Sequence, residues 1–140
     1  MSLFKVMDIA GSALSAQSLR LNTTASNMAN ADSVSSSVGS TYRARHPVFA
    51  TMVDDLMSLE GEGVGAGVEV KGVIESQAPV RSIYRPEHPM ADENGYIHMP
   101  NVNMVEEMAN MMSASRSYQM NIEIANASKQ LMLSTLQLGA

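Results

Sequence analysis

Residues 103–138 contain neither glycine nor proline, so nothing in them breaks a helix. At ~1.5 Å per residue such a helix spans roughly 50 Å, more than most small domains are wide. Asn103 suits an N-cap, Glu106 stands where a capping-box acid would, and Gly139 follows as a C-cap glycine. With 4-3 spacing an apolar seam runs through Met104, Met108, Met111, Ser115, Tyr118, Ile122, Ala125, Lys129, Met132 and Leu136. Only Ser115 and Lys129 interrupt it, which predicts a partner helix. A second stripe, Met120, Ile124, Leu131 and Leu138, lies on the opposite side of the distal half. A helix apolar on two sides needs burial on two sides. One partner helix does not supply that.

The first segment, residues 3–28, carries a narrower stripe of Leu3, Met7, Ala10, Leu14, Leu21, Ala25 and Met28. Gly11 weakens it by ~1 kcal/mol relative to alanine, and its other faces are rich in Ser, Thr and Asn. Alone in water this helix is expected to fray. Both stripes together are too slight to order two long helices, so further burial must come from neighbouring molecules.

Composition removes several classes of function. A net charge of −5 argues against nucleic acid or an anionic membrane surface as the main partner. No apolar run approaches the ~20 residues of a membrane span. Lys5 and Asp8 break up what would be the core of a cleaved signal peptide. Without cysteine there is no disulfide framework and no thiolate metal site. Thirteen methionines and no tryptophan suit helix contacts between non-identical neighbours, or simply a loosely filled core.

Between the helices the pattern changes. Residues 33–40, with five serines, show no period and read as a flexible connection. Residues 42–49 read as an extended edge segment around Pro47, and residues 50–59 as a short helical piece. Residues 60–67 form a glycine-rich hinge that lacks the lysine of a phosphate-binding loop. Residues 68–84 and 96–99 suggest a small antiparallel unit, with a turn at Asp92-Glu93-Asn94-Gly95. The expected fold is therefore mostly α. Residues 1–30 and 103–140 pair as a coiled-coil-like inner domain, and residues 31–102 form an extended linker with a small β insert.

No catalytic constellation stands out. His88, Asp92 and His98 are the only grouping of metal-ligand types, and their spacing fits no ligand pattern. The serines have no histidine and acid in a nucleophile motif. No cofactor and no enzymatic activity are expected.

Two stretches carry a resemblance. Asn103-Met104-Val105-Glu106-Glu107-Met108 with Ser113-Ala114-Ser115-Arg116-Ser117-Tyr118-Gln119-Met120-Asn121 resembles the C-terminal signature of bacterial flagellar rod and hook proteins. Asn27-Met28-Ala29-Asn30-Ala31-Asp32 is similar to the Asn-rich motif that closes their N-terminal helix. Residues 42–50 and the block from Arg85 to Asn103 resemble the proximal-rod members of that family. Met104 departs from relatives that carry proline at the helix start.

The resemblance implies a structural subunit of the basal-body rod, which carries torque from motor to hook across the periplasm. It implies partners among other rod proteins and copies of the same chain. It also implies passage through the flagellar type III export apparatus without a cleaved signal. On that reading the assembly seam is Leu3, Met7, Leu14, Leu21, Met28, Met104, Met108, Met111, Tyr118, Ile122 and Leu136. Met120, Ile124, Leu131 and Leu138 form a second assembly face. Phe49 and Val53 match an export-gate pattern of Phe followed four residues later by an apolar residue. The rival readings are another axial subunit, a soluble coiled-coil adaptor and, more distantly, a metal-dependent enzyme.

Overall fold

The computed structural model describes residues 3–53 and 65–138, with the side chains of residues 53, 65, 66 and 138 outside that description. Two long helices bracket two small sheets. Helix α1 spans Leu3–Asn30 and α2 spans Met104–Leu138. Strand β1 (Arg45–Val53) pairs antiparallel with β2 (Gly65–Glu75), and β3 (Arg81–Tyr84) pairs antiparallel with β4 (Tyr96–Met99). Among the described residues about half are helical and about a fifth lie in strands, so the mostly α expectation holds only roughly.

Helix α2 begins where the capping residue places it. Asn103 Oδ1 accepts the Val105 N–H at 3.1 Å, and the Asn103 carbonyl accepts the Glu107 N–H at 3.0 Å. Its expected C-cap, Gly139, lies outside the described residues. Helix α1 tolerates Gly11 because tertiary packing on two sides outweighs propensity: α2 lies along one side, and β1 and β2 along another.

The β1–β2 ribbon replaces two expected features. Ala50–Val53, anticipated as the start of a helical piece, continues β1, while residues 54–59 of that piece lie outside the described residues. Val48, Phe49, Thr51 and Val53 favour a pleated strand, and β2 supplies the partner. Pro47 is tolerated because a two-stranded sheet has only edges. Residues 65–67 of the expected hinge open β2, and the rest of that hinge lies outside the described residues. The ribbon is stitched to the first half of α1 by the Val68 N–H, which donates to Ser12 Oγ at 3.1 Å. Gly67 lies over the same serine, where a Cβ would meet Ser12 Oγ at 2.6 Å.

Residues 33–40 are ordered, not a flexible connection. Ser35 exchanges backbone hydrogen bonds with His98 of β4 at 2.9 and 3.0 Å. Within the turn, Ser37 Oγ accepts the Ser40 N–H, and Thr41 Oγ1 donates to the Ser37 carbonyl at 2.7 Å. Hydroxyls thus satisfy the backbone that has no ladder partner. The Asp92–Gly95 turn forms as expected, with Gly95 at φ +81° and Asp92 Oδ1 accepting the Asn94 and Tyr96 N–H groups.

Candidate assembly interface

The two helices run antiparallel. Arg20 Nη2 donates to Asn110 Oδ1 at 3.1 Å near one end, and Leu3 and Phe4 share a cleft with Met132 and Leu136 at the other. On α2 the inward positions are Glu107, Met111, Ala114, Tyr118, Asn121, Ala125, Ser128 and Met132, all buried or half-buried. On α1 they are Leu3, Val6, Ala10, Ala13, Gln17, Arg20, Thr24 and Asn27. Both series keep 4-3 spacing.

These series share half their positions on α2, and only Leu3 and Ala10 on α1, with the apolar stripes read from the sequence. Met111, Tyr118, Ala125 and Met132 are common on α2. The alternate positions fall one residue earlier, at Glu107, Ala114, Asn121 and Ser128 instead of Met108, Ser115, Ile122 and Lys129. The same shift occurs on α1, where Val6, Ala13, Arg20 and Asn27 replace Met7, Leu14, Leu21 and Met28. One residue is about 100° of rotation. The physical reason is size and polarity: Ala114 is 0% exposed and small residues let the backbones approach. The contact also includes Gln17, whose Oε1 is buried with no hydrogen-bond partner among the described residues. This intrachain contact is short of apolar area.

The larger side chains stand on its flanks. In an antiparallel pair, the positions just after the second inward position of each heptad fall on the same side of both helices. Met7, Leu14, Leu21 and Met28 therefore share one flank with Met108, Ile122 and Leu136. Met7, Met104, Met108, Ile122 and Leu136 are exposed, Ile122 at 38% and Leu136 at 69%. Leu3, Leu14, Leu21, Met28, Met111 and Tyr118 are half-buried. The other flank carries Ile124 and Leu131, both exposed, with Ile124 beside Val6, Ile9 and Ala10 of α1. Met120 is exposed on the outer side, and the Leu138 side chain lies outside the described residues. Paired apolar flanks of this length on a small chain are the mark of a surface that meets other proteins.

Two residues missed in the sequence hold the pair to the insert. Asn27 Oδ1 accepts both Tyr42 Oη–H and the Arg45 N–H at 2.9 Å, while its Nδ2 donates to the Arg45 carbonyl at 2.8 Å. Asn101 Oδ1 accepts the Ala44 N–H at 2.8 Å, and its Nδ2 donates to the Ala78 carbonyl at 2.8 Å. The asparagine-rich ends of the helices were the available signal.

Phe49, expected in an extended segment, is half-buried in β1, which continues through Val53; the Val53 side chain is not described. His98 is buried, accepting or donating at Nδ1 with Ser82 Oγ at 2.9 Å, and its Nε2 lies 3.6 Å from Asp92 Oδ2. His88 instead accepts the Met90 N–H at its own Nδ1. Among the described residues no three His, Asp or Glu side chains could hold a metal ion, and no helix is long and apolar enough to cross a membrane.

Comparison with known proteins bears on the same two helices. Residues 7–35 match the family described as Flagella basal body rod protein, and residues 93–138 match Flagellar basal body rod FlgEFG protein C-terminal. Over its full length the chain is similar to the flagellar basal-body rod protein FlgC of Salmonella typhimurium, at 57% identity covering 99% of each chain. It is 54% identical to that of Escherichia coli O157:H7, again over 99% of each. The similarity extends to that of Borreliella burgdorferi, at 35% identity over 97% of each.

Proposed function

The chain belongs to the family of the flagellar basal-body rod protein FlgC, and on that premise we propose how its surface serves assembly. It is a structural subunit of the flagellar basal body, in a family that is structural and not catalytic. The proposal concerns which surfaces do the work. Residues 1–30 and 103–140 act as one inner unit that stacks helically around the export channel. Residues 31–102 form the insert that sets spacing to neighbours. The flank of Met7, Leu14, Leu21, Met28, Met108, Ile122 and Leu136 meets one neighbour, and the side bearing Met120, Ile124 and Leu131 meets another. Torque passes between subunits through these contacts.

One observation carries this reading. The intrachain seam is half made of small or polar residues such as Ala114, Asn121 and Ser128, while Met7, Met108, Ile122 and Leu136 stand exposed beside it and Leu14, Leu21 and Met28 are only half-buried. Burying them against neighbours supplies about 25 cal/mol per Å² of apolar surface that the monomer forgoes. Export in the unfolded state, with Phe49 and Val53 presented to the export apparatus, belongs to the same proposal. Folding half-buries Phe49 in β1 only after delivery.

The test is complementation. In a flagellated bacterium lacking its own corresponding subunit, the chain should restore swimming and co-purify with basal bodies. Ile122→Asp should be exported yet absent from them. Normal incorporation of Ile122→Asp would remove this flank from the assembly.

A further inference from the structure

Of the chain's asparagines only Asn94 is followed by glycine, and no aspartate, which closes the same ring, is. Such a pair has a chemistry of its own, because glycine has no side chain to hinder attack by its backbone nitrogen on the neighbouring amide. The Gly95 nitrogen bonds to Asn94 Cγ and gives its proton to solvent, and the side-chain nitrogen leaves as ammonia. Water then opens the cyclic imide at either carbonyl. One product is aspartate. The other is isoaspartate, whose main chain runs through Cβ and Cγ and is longer by a carbon.

The folded turn holds this chemistry back. Asn94 is exposed and its side-chain amide has no hydrogen-bond partner among the described residues, so the amide is open to water. The nucleophile is not. The Gly95 N–H donates to the Asp92 carbonyl at 3.0 Å, and the Asn94 N–H to Asp92 Oδ1 at 2.9 Å. That i→i+3 bond, with no positive φ at Asn94, makes a type I turn with Asn94 ψ near about 0°. Ring closure needs the Gly95 nitrogen swung over the face of Cγ, far from that setting. Gly95 is also wedged in place: at φ +81°, a Cβ there would meet Tyr84 Cε2 at 2.9 Å and Pro86 Cβ at 3.2 Å. Beyond it, the Tyr96 N–H donates to Asp92 Oδ1 and the Tyr96 carbonyl accepts the Asp92 N–H, both at 2.8 Å.

We propose that Asn94–Gly95 is a self-modification site, protected in the folded β3–β4 hairpin and reactive in the unfolded chain, and that its isoaspartyl product no longer closes the hairpin. The folded-state rate is the unfolded rate scaled by the fraction of time the turn stands open. A carbon inserted between residues 94 and 95 drives Gly95 into the Tyr84 ring, or pulls Gly95 and Tyr96 off their bonds to Asp92. A chain that folds promptly therefore keeps Asn94. One left unfolded is marked, with water as the only reactant, and does not rebuild the turn.

Peptide mapping of the full chain held in mildly alkaline buffer, with and without guanidinium chloride, tests the protection. Asn94 should convert at least ~10-fold faster in the denaturant than in native buffer, and ahead of every other asparagine. Equal rates, or another asparagine converting first, would overturn the proposal. The converted isoaspartyl chain, returned to native buffer, should lack the native Tyr96 amide resonance. Asn94→Asp adds the same charge without the extra carbon and should keep that resonance. Asn94→Gln, carried through the same treatment, should keep it too, because its larger ring closes far more slowly. A native Tyr96 resonance in the isoaspartyl chain would overturn the proposal, as would its loss in Asn94→Asp, which would assign the effect to charge.

Discussion

The side-chain amide of Asn27 clasps the backbone of Arg45 at both its N–H and its carbonyl, at 2.9 and 2.8 Å. One buried side chain near the end of α1 thereby fixes where β1 begins, and the same oxygen takes the Tyr42 hydroxyl. Asn27 is 1% exposed, so removing it strands several buried polar groups at once. Asn27→Ala should cost about 2–4 kcal/mol, from lost bonds and unsatisfied partners. Urea unfolding of the purified subunit measures this. A change below about 0.5 kcal/mol would mean the clasp is replaced by water.

The stitch between α1 and the β1–β2 ribbon gives a second prediction. Gly67 (φ +146°) and Gly72 (φ +155°) share a backbone conformation that disfavours side chains, but only Gly67 faces Ser12. Both alanine variants should be destabilised, Gly67→Ala by about 1 kcal/mol more, since its methyl group must displace the serine that holds Val68. Thermal unfolding of the two side by side checks the difference. Equal values would show that Ser12 yields freely.

Acid should loosen the β3–β4 turn only late. The Tyr96 N–H, then the Asn94 N–H and His98, hold the Asp92 carboxyl below its ordinary 3.8, against partial desolvation. A depressed value means the stabilisation is full above the ordinary carboxylate range and is lost as pH falls through the lowered one. The Tyr96 amide resonance should therefore stay native through mild acid and shift below 3.8. Asp92→Asn keeps an acceptor and should abolish that titration. Persistence of the same transition in Asp92→Asn would place its origin in another group.

Substitutions on the seam and on its flank should separate folding from assembly. Ala114→Leu forces a large side chain into the closest helix approach and should cost about 1–3 kcal/mol. Met108→Asp, on the exposed flank, should change subunit stability by no more than about 0.5 kcal/mol and still prevent incorporation into basal bodies. Denaturation of each purified variant, beside its yield in basal bodies, reads both effects. A large loss of monomer stability in Met108→Asp would mean that the flank is part of the intrachain core.

Much of the fold was legible because punctuation is local. The expected helices, residues 3–28 and 103–138, match Leu3–Asn30 and Met104–Leu138 closely, since Asn103 and the lack of proline mark them. The Asp92–Gly95 turn was readable for the same reason. The intrachain seam was not. Apolar periodicity follows the largest hydrophobic side chains, and here those sit beside the contact, while Ala114, Asn121 and Ser128 make it. A repeat of small residues one position ahead of the methionines was the signal to weigh. The register of β1 was hidden because residues 50–59 have fair helix propensity, which pairing with β2 overrides over Ala50–Val53. The Asn27 clasp depends on separate segments meeting, which no single stretch encodes.

The central claim is that the exposed flank of the helix pair becomes buried when subunits meet, and thiol labelling tests it most directly. In the cysteine-free chain, Ile122→Cys reports on the flank and Gln119→Cys, exposed on the outward side of the same helix, serves for comparison. In the free subunit both cysteines should react readily with a maleimide, because both side chains reach solvent. In isolated basal bodies Ile122→Cys should be strongly protected relative to its own free-subunit rate. Equal labelling of Ile122→Cys in the free subunit and in basal bodies would contradict the account.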